Sequence, residues 1–368
     1  MKKFVLFALP LLFAMVLKAQ RPMVAEDLFR FQRIGGQVVS PNGEYAVFIV
    51  TRYDVEANKG IRRAEMIHLR TGKQETLIPE EYSPSELAFR PDGKKLGFIS
   101  SKDGSSQLWE CDMATRQFGN VTGIEGGIHL FQYSPDASQL LIGRRVKMDK
   151  EAKEKYPQLP KTNARIIDGL MYRHWNEWSD YSYNHLFLLP YGQDDVSGSM
   201  LDIMEGEKFH SPTMPFGGAE EVSFSPDGKK VYYTCKKLYG TQSAISTNTD
   251  IYAYDIATKK TENISAPNQG YDKAPAFNKD GSKMAWLSME TAGYEADKNR
   301  ILVMDMKKGK AVDITKDFFY SAESFVWSAT GNEIYFLATK DATEQVFVYN
   351  FKDNSIKQLT AGVHNFTS

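Results

Sequence analysis

The sequence has 368 residues, of which 45 are basic and 46 acidic, with a formal net charge of −1. This balance lacks the basic excess of nucleic-acid-binding domains, so no nucleic-acid partner is expected. An aromatic content of 12% favours a β-rich fold that buries rings between sheets. Cys111 and Cys235 lack metal-ligand spacing and are expected to be buried free thiols. A disulfide would need their Cα atoms within about 7 Å.

Residues 1–19 have the composition of a secretory signal peptide. Two lysines precede an apolar run from Phe4 to Leu17, and the small residue Ala19 ends the segment. The apolar run is short for a membrane span. We therefore predict cleavage after Ala19, a periplasmic or secreted protein, and no membrane anchor after cleavage. Residues 20–34 are predicted to be a lead-in, either a short helix or an extended segment.

A turn sequence recurs along the rest of the chain. In its clearest copy, Pro226 presets one turn angle, Asp227 can bond its own backbone, and Gly228 accepts the left-handed conformation. The fourth turn residues of six copies stand at positions 43, 93, 137, 228, 281 and 331, at intervals of 50, 44, 91, 53 and 50. A period of roughly 40–50 residues with several short strands per unit is typical of propeller blades.

The repeats predict an all-β fold, a β-propeller of four-stranded blades over residues 35–368. Six repeats are recognisable, and the segment from Ala361 to Ser368 resembles the approach to another blade. We therefore predict an incomplete seven-bladed propeller. Within each unit the second and third strands are apolar and the fourth is polar, as expected if only the outer edge of each blade meets water.

The interval of 91 residues predicts a partly helical insertion at about 143–184 in the third blade. Its first part is charged and favours helix, and its second part is rich in aromatic residues. Long loops of this kind are often functional. Cationic, acidic and indole side chains in a short stretch suit recognition of charged peptide ends or carbohydrate, so we predict substrate-gating residues here. The candidates are Arg173, His174, Trp175, Glu177 and Trp178. Alternatively, the aromatic rings only pack on the propeller face.

Familiar catalytic and metal-binding motifs are missing from the sequence. No serine lies in the Gly-x-Ser-x-Gly pattern of a hydrolase nucleophile, and the six histidines form no His-Glu-x-x-His motif. The chain contains neither a phosphate-binding loop nor a dinucleotide fingerprint. A single Asp per turn does not supply the closely spaced oxygen ligands of a calcium loop. We therefore assign no catalytic residue, no metal and no cofactor.

Several features together resemble the N-terminal propeller of prolyl oligopeptidase-type (S9) serine peptidases, and most of all the branch of acylaminoacyl peptidase and dipeptidyl peptidase 5. These are the leader, the early segment from Ala25 to Leu28, the Ser-Pro-Asp-Gly-Lys turns, and the insertion with its segments 170–175 and 184–187. The resemblance implies that Ser, Asp and His of a C-terminal α/β-hydrolase domain perform catalysis, while the propeller caps the active site and filters substrates by size. This chain would lack that domain and be inactive alone, with oligopeptides as the substrates of the whole enzyme.

Two further points concern the adjacent glutamates at 220 and 221 and the specificity of the turn motif. Relatives of dipeptidyl peptidase IV hold a peptide's N-terminus with paired glutamates, but Glu220 and Glu221 lie outside the insertion and receive no such role. The Ser-Pro-Asp-Gly turn also occurs in TolB-type propellers. A stand-alone periplasmic propeller that binds a protein or an envelope glycan is therefore the alternative function. A hydrolase sequence downstream of Ser368 would favour the peptidase hypothesis.

Overall fold

The computed structural model describes residues 21–192 and 200–367. The predicted signal peptide, residues 1–19, lies outside the described residues. Strands dominate, and six antiparallel sheets of four strands each form the blades of a β-propeller, which confirms the predicted fold class. No helix in the described part of the chain is both long and apolar enough to cross a membrane.

The first three blades are built from consecutive strands, apart from the insertion in blade three. Blade one contains β1 (Arg33–Val39), β2 (Tyr45–Asp54), β3 (Lys59–His68) and β4 (Gln74–Ile78). Blade two contains β5 (Ser85–Phe89), β6 (Lys95–Ser100), β7 (Gln107–Asp112) and β8 (Phe118–Asn120). Blade three contains β9 (Leu130–Tyr133), β10 (Gln139–Lys147), β13 (Ser182–Pro190) and β14 (Leu201–Asp202), while β11 (Arg173–His174) and β12 (Glu177–Trp178) belong to the insertion.

The last three blades repeat the same order. Blade four contains β15 (Val222–Phe224), β16 (Lys230–Cys235), β17 (Asp250–Asp255) and β18 (Lys260–Asn263). Blade five contains β19 (Asp272–Phe277), β20 (Lys283–Ser288), β21 (Arg300–Asp305) and β22 (Lys310–Asp313). Blade six contains β23 (Ala322–Trp327), β24 (Glu333–Lys340), β25 (Thr343–Asn350) and β26 (Ser355–Gln358). The short helices are α1 (Ala152–Lys155), α2 (Gly240–Ile245) and three 3-10 helices (Ala25–Phe29, Glu80–Tyr82 and Ala219–Glu221).

The repeated turns join the first and second strands of each blade. In the copy at 225–228, Gly228 has φ +70°, its amide donates to the Ser225 carbonyl at 2.8 Å, and the Ser225 hydroxyl donates to Asp227 at 2.7 Å. Pro226 packs against the turn of the next blade, since a Cβ placed on Gly281 would lie 3.1 Å from Pro226 Cγ. The glycine thus permits the turn and also leaves room for the neighbouring proline.

Four antiparallel strands per blade divide the connections between two faces of the propeller. The turns between strands one and two, and between strands three and four, lie on one face, which we call the turn face. The connections between strands two and three, and from each blade to the next, lie on the opposite face. The insertion of blade three is one of these, so we call this the insertion face. Because every blade starts and ends on the insertion face, both ends of the propeller lie there too.

Buried apolar cores fill the five successive interfaces from blade one to blade six. Large buried residues in these cores are, in order, Phe98, Ile142, Tyr233, Trp286 and Phe336. Cys111 and Cys235 lie in two of the cores and are free, as predicted. Burial raises the pKa of the Cys111 thiol to about 11, which keeps it protonated and unreactive at neutral pH.

Blade six and blade one share no such core among the residues that the structure describes. Ile34 and Val39 lie on the face of blade one that points away from blade two, and both are exposed. Val326 lies on the face of blade six that points away from blade five and is also exposed. Residues 361–367 contain no strand. A seventh blade at this junction stays a prediction.

Candidate functional site

The insertion connects two adjacent strands of blade three on the insertion face. β10 and β13 pair continuously as far as Lys147 and Ser182, so the segment outside the blade runs over 148–181. Asp149 fixes its base, because this carboxylate accepts a hydrogen bond from the Tyr183 hydroxyl at 2.8 Å and forms an ion pair with Lys208. The predicted helix is the single turn α1, whose Ala152 is buried.

All five candidate gating residues lie in one small hairpin, formed by β11 and β12. Arg173 pairs with Trp178 and His174 pairs with Glu177, while Trp175 occupies the turn with φ +47°. Trp175 and Trp178 are 67% and 45% exposed. The structure therefore brings the five residues together and leaves both indoles accessible to a partner or substrate.

The two indoles have different surroundings. Trp178 stacks on Tyr172 with ring centroids 6.0 Å apart, and the guanidinium groups of Arg165 and Arg173 lie 5.2 and 5.7 Å from its ring. Such cation–π contacts hold an exposed ring in place. Trp175 instead contacts an aromatic residue outside the insertion, Phe216, at a centroid distance of 5.4 Å.

Phe216 belongs to the connection between blades three and four, and it links the hairpin to a pair of glutamates. Glu221 is 4% exposed and accepts hydrogen bonds from the Thr213 amide at 2.7 Å and the Thr213 hydroxyl at 2.8 Å. The amide of Gly218 donates to Glu220 at 3.0 Å. The loop that contacts the hairpin through Phe216 therefore also holds the acidic pair.

Burial and the neighbouring carboxylate of Glu220 raise the pKa of Glu221 to about 7, although the Thr213 hydrogen bonds and Lys273 oppose this shift. On the first strand of blade two, Glu86 has φ +49° beside a β-bulge. Its side chain is exposed, yet surrounding protein and Glu220 raise its pKa as well. The carboxylate of Glu220 thus acts electrostatically on carboxyls of two blades, Glu86 and Glu221.

Sequence reasoning considered Glu220 and Glu221 but gave them no role. The burial of Glu221 depends on the 3-10 helix at 219–221 and on a loop that begins eight residues earlier, which no local pattern reveals. The signal available in the sequence was an acidic pair immediately before an apolar strand. Glu86 carried no signal, because its orientation results from the bulge in β5.

Elsewhere in the described ranges we find no metal cluster and one buried histidine with a structural role. Across 21–192 and 200–367, no group of three or more His, Cys, Asp or Glu side chains is arranged to hold a metal ion. His185 is buried between Asp202 and the Glu207 carbonyl, at 2.8 and 2.7 Å, so its hydrogen bonds hold the third blade together. The arrangement on the insertion face presents aromatic, cationic and acidic groups that can contact a ligand.

Comparison with protein-family profiles finds no match. The chain is 37% identical over 347 residues to dipeptidyl-peptidase 5 of Porphyromonas gingivalis, covering 94% of this chain and 50% of that protein. It is 33% identical over 340 residues to dipeptidyl-peptidase 5 of Porphyromonas endodontalis, covering 92% and 49%. The chain therefore spans about half the length of the curated relatives it matches.

Solved structures share the fold at low sequence identity. An acylaminoacyl peptidase in complex with Z-Gly-Gly-Phe-chloromethyl ketone superposes with a TM-score of 0.69 at 14% identity, covering 93% of this chain and 48% of that one. The β-propeller domain of the trilobed protease from Pyrococcus furiosus gives a TM-score of 0.57 at 13% identity, covering 90% and 84%. In the first of these proteins, as in the curated relatives, the matched part is about half of a longer chain.

Proposed function

Because this chain is similar over 94% of its length to dipeptidyl-peptidase 5 of Porphyromonas gingivalis, we propose that it belongs to the S9 serine peptidases. We propose further that it is the substrate-admitting part of a secreted exopeptidase that acts on oligopeptides. The chemistry we propose for the whole enzyme is serine acyl transfer. Its nucleophile, base and orienting acid would come from residues beyond this chain, since the sequence has no Gly-x-Ser-x-Gly elbow.

The observation that carries the proposal is the placement of the insertion. Both ends of the propeller lie on the insertion face, so a domain joined to either end would be attached at that face. The hairpin with Trp175 and Trp178 projects from the same face, and it contacts, through Phe216, the loop that holds Glu220 and Glu221. A peptide approaching an active site between the two domains would therefore pass aromatic and acidic groups of the propeller.

The chemistry of these groups suits a peptide. Both exposed indoles offer apolar surface to side chains, and the two arginines beside Trp178 hold that ring in place. Glu220, whose side chain is exposed, offers a carboxylate to a cation such as a free α-amino group or a basic side chain. The narrow hairpin would also limit the width of what enters, which is the gating role that we propose for Arg173 to Trp178.

A chimera tests the proposal. This chain would replace the matching half of the Porphyromonas gingivalis relative, and hydrolysis of dipeptidyl p-nitroanilides would be measured for the chimera and for the chain alone. We expect turnover by the chimera and none by the chain alone. Activity of the purified chain that survives repurification would contradict the assignment of catalysis to the other half.

The alternative of a stand-alone propeller that binds a protein or an envelope glycan makes a different prediction. A folded chimera would then be inactive, because the two halves would not form a shared active site. Circular dichroism and gel filtration of the chimera separate this outcome from misfolding. Secretion is tested separately by N-terminal sequencing of the protein exported by its host, which we expect to begin after Ala19.

A further inference from the structure

A second candidate site lies on the insertion face between blades one and two. A cavity of about 460 Å³ opens there, and the first strand of each blade contributes to it, with Arg33 and Gly36 on β1 and Glu86 on β5. The second and third strands of blade one add Thr51 and Arg62. The cavity is distant in sequence from the insertion and plays no part in the proposed gating by the hairpin.

The register of blade one determines how the two arginines are arranged. Arg33 on β1 is directly opposite Thr51 on β2, and Thr51 is directly opposite Arg62 on β3. Residues opposite each other in antiparallel strands point to the same side of the sheet, with Cβ atoms about 5 Å apart. The side chains of Arg33 and Arg62 therefore leave the sheet on either side of Thr51, and both line the cavity.

These two arginines differ from their neighbours in the same blade. Arg52 forms two hydrogen bonds with Glu80, at 2.8 and 2.7 Å, and Arg63 forms an ion pair with Glu65. In the described residues, neither Arg33 nor Arg62 has an ion-pair partner. Arg33 instead contacts the ring of Tyr53, at 5.2 Å.

The backbone beside the arginines is shaped by a β-bulge. The pairing between β1 and β2 shifts between Gly35 and Val38, and Gly36 adopts φ +57°. A Cβ at Gly36 would lie 3.0 Å from Ile49 Cδ1, so glycine also keeps the floor of the cavity open. Bulges of this kind re-aim side chains and recur next to binding sites.

Glu86 is the carboxylate that lines the same cavity, but within the described part of the chain no ion pair joins it to either arginine. The groups that act on Glu86 are the surrounding protein and Glu220 at the start of blade four. The cavity thus keeps two cationic groups available on the wall of blade one while its acidic group lies on the wall of blade two.

We propose that this cavity binds a carboxylate group of an oligopeptide through the guanidinium groups of Arg33 and Arg62. Planar guanidinium groups bind carboxylates with paired hydrogen bonds, and two of them around one anion give both affinity and orientation. The carboxylate belongs either to the C-terminus of the peptide or to an acidic side chain. The inference rests on the proposed function in taking a peptide as the ligand.

Binding of three N-acetylated tripeptides to the full chain tests the proposal by isothermal titration calorimetry at fixed ionic strength. The probes are acetyl-Ala-Phe-Ala as the free acid, the same peptide as its C-terminal amide, and acetyl-Ala-Glu-Ala amide. We expect the free acid or the glutamyl peptide to bind at least tenfold more tightly than acetyl-Ala-Phe-Ala amide. Preference for the free acid alone identifies the C-terminus as the ligand, and tight binding of the glutamyl peptide identifies a side chain.

Variants assign the binding to this cavity. Arg33→Gln and Arg62→Gln should each weaken binding about tenfold. The matched control is Arg70→Gln, which removes one exposed positive charge from the turn face and should change the affinity less than twofold. Melting temperatures of all variants verify that they are folded.

Three results would overturn the proposal: equal binding of acids and amide, equal losses in all three variants, or no binding of any probe. Each is independent of the chimera experiment, because binding to the chain alone requires no catalysis. An inactive chimera would count against the proposed function and would leave a measured carboxylate preference unaffected.

Discussion

Replacing Glu221 by Gln should change how the stability of the propeller depends on pH. Glu221 is buried, and its pKa lies near 7 in the folded protein against an ordinary value of 4.5. The folded state therefore binds more protons than the unfolded state between these two values. The stabilisation by the protonated group is fully present below pH 4.5 and is lost as pH rises to about 7.

The size of the effect follows from the shift in pKa. At 1.36 kcal/mol per unit, the difference between 4.5 and about 7 corresponds to about 3 kcal/mol. The amide introduced by Glu221→Gln does not titrate, so the variant should lack this loss. We expect wild type to lose about 3 kcal/mol relative to Glu221→Gln between pH 4 and pH 8. Urea denaturation followed by tryptophan fluorescence at closely spaced pH values measures this difference.

The change in unfolding free energy with pH is compared within each protein. Any pH-independent destabilisation by the introduced amide is the same at every pH and so does not affect this change. Thr213→Val provides a second check, since it removes the hydroxyl that donates to the carboxylate at 2.8 Å. Losing this hydrogen bond should raise the pKa of Glu221 further. In the Thr213→Val protein, the loss of stability caused by Glu221 should therefore continue to a higher pH than in wild type. Parallel pH profiles for wild type and Glu221→Gln would refute the assignment of a raised pKa to this buried carboxyl.

Two further pairs of substitutions test local features of the fold by thermal denaturation. Gly36→Ala should destabilise the protein by about 1–2 kcal/mol because Gly36 has φ +57° and a side chain 3.0 Å from the added methyl group. A Cβ at Gly35 would meet no atom within 4 Å, so Gly35→Ala should destabilise the protein by less than half as much. Equal destabilisation by the two substitutions would contradict this account of the bulge. Trp286→Phe should cost about 1–3 kcal/mol, since the indole N–H donates at 2.8 Å to Asp272, which is fully buried. Trp178→Phe on the exposed hairpin should lower stability by less than about 0.5 kcal/mol. If Trp286→Phe destabilised the protein less than Trp178→Phe, the argument from burial would be wrong.

The sequence predicted the repeating parts of the fold well, because each blade is closed by local turn chemistry. The turn at Ser225 to Gly228 forms the predicted left-handed glycine and Asp hydrogen bonds within four residues. Counting such turns was enough to place the insertion between the second and third strands of blade three. The hairpin residues were also found together, since Arg173 to Trp178 are neighbours in the chain.

Features that depend on distant contacts were not predictable in this way. The burial and the pKa of Glu221 depend on Thr213 and on the fold of the loop between blades three and four. The alignment of Arg33 with Arg62 requires the register of three strands and a bulge in the first of them. Apolar patterning specifies which face of a strand is buried, but it does not specify which polar side chains are brought opposite each other across an opening.

The gating role of the hairpin is the central claim, and one measurement tests it most directly. In the active chimera, Trp175→Ala together with Trp178→Ala would be compared with wild type for kcat/KM on a dipeptidyl p-nitroanilide and on a long peptide. Leu69→Ala, an exposed apolar residue on the turn face, is the matched control.

We predict that removing the two indoles widens the entrance, so that the ratio of kcat/KM for the long peptide over the short substrate rises several-fold. Thermal stability should change by less than about 1 kcal/mol because both rings are substantially exposed. Leu69→Ala should leave the ratio unchanged. An unchanged ratio in the tryptophan variant, or a loss of several kcal/mol in its stability, would show instead that the hairpin only packs on the propeller face.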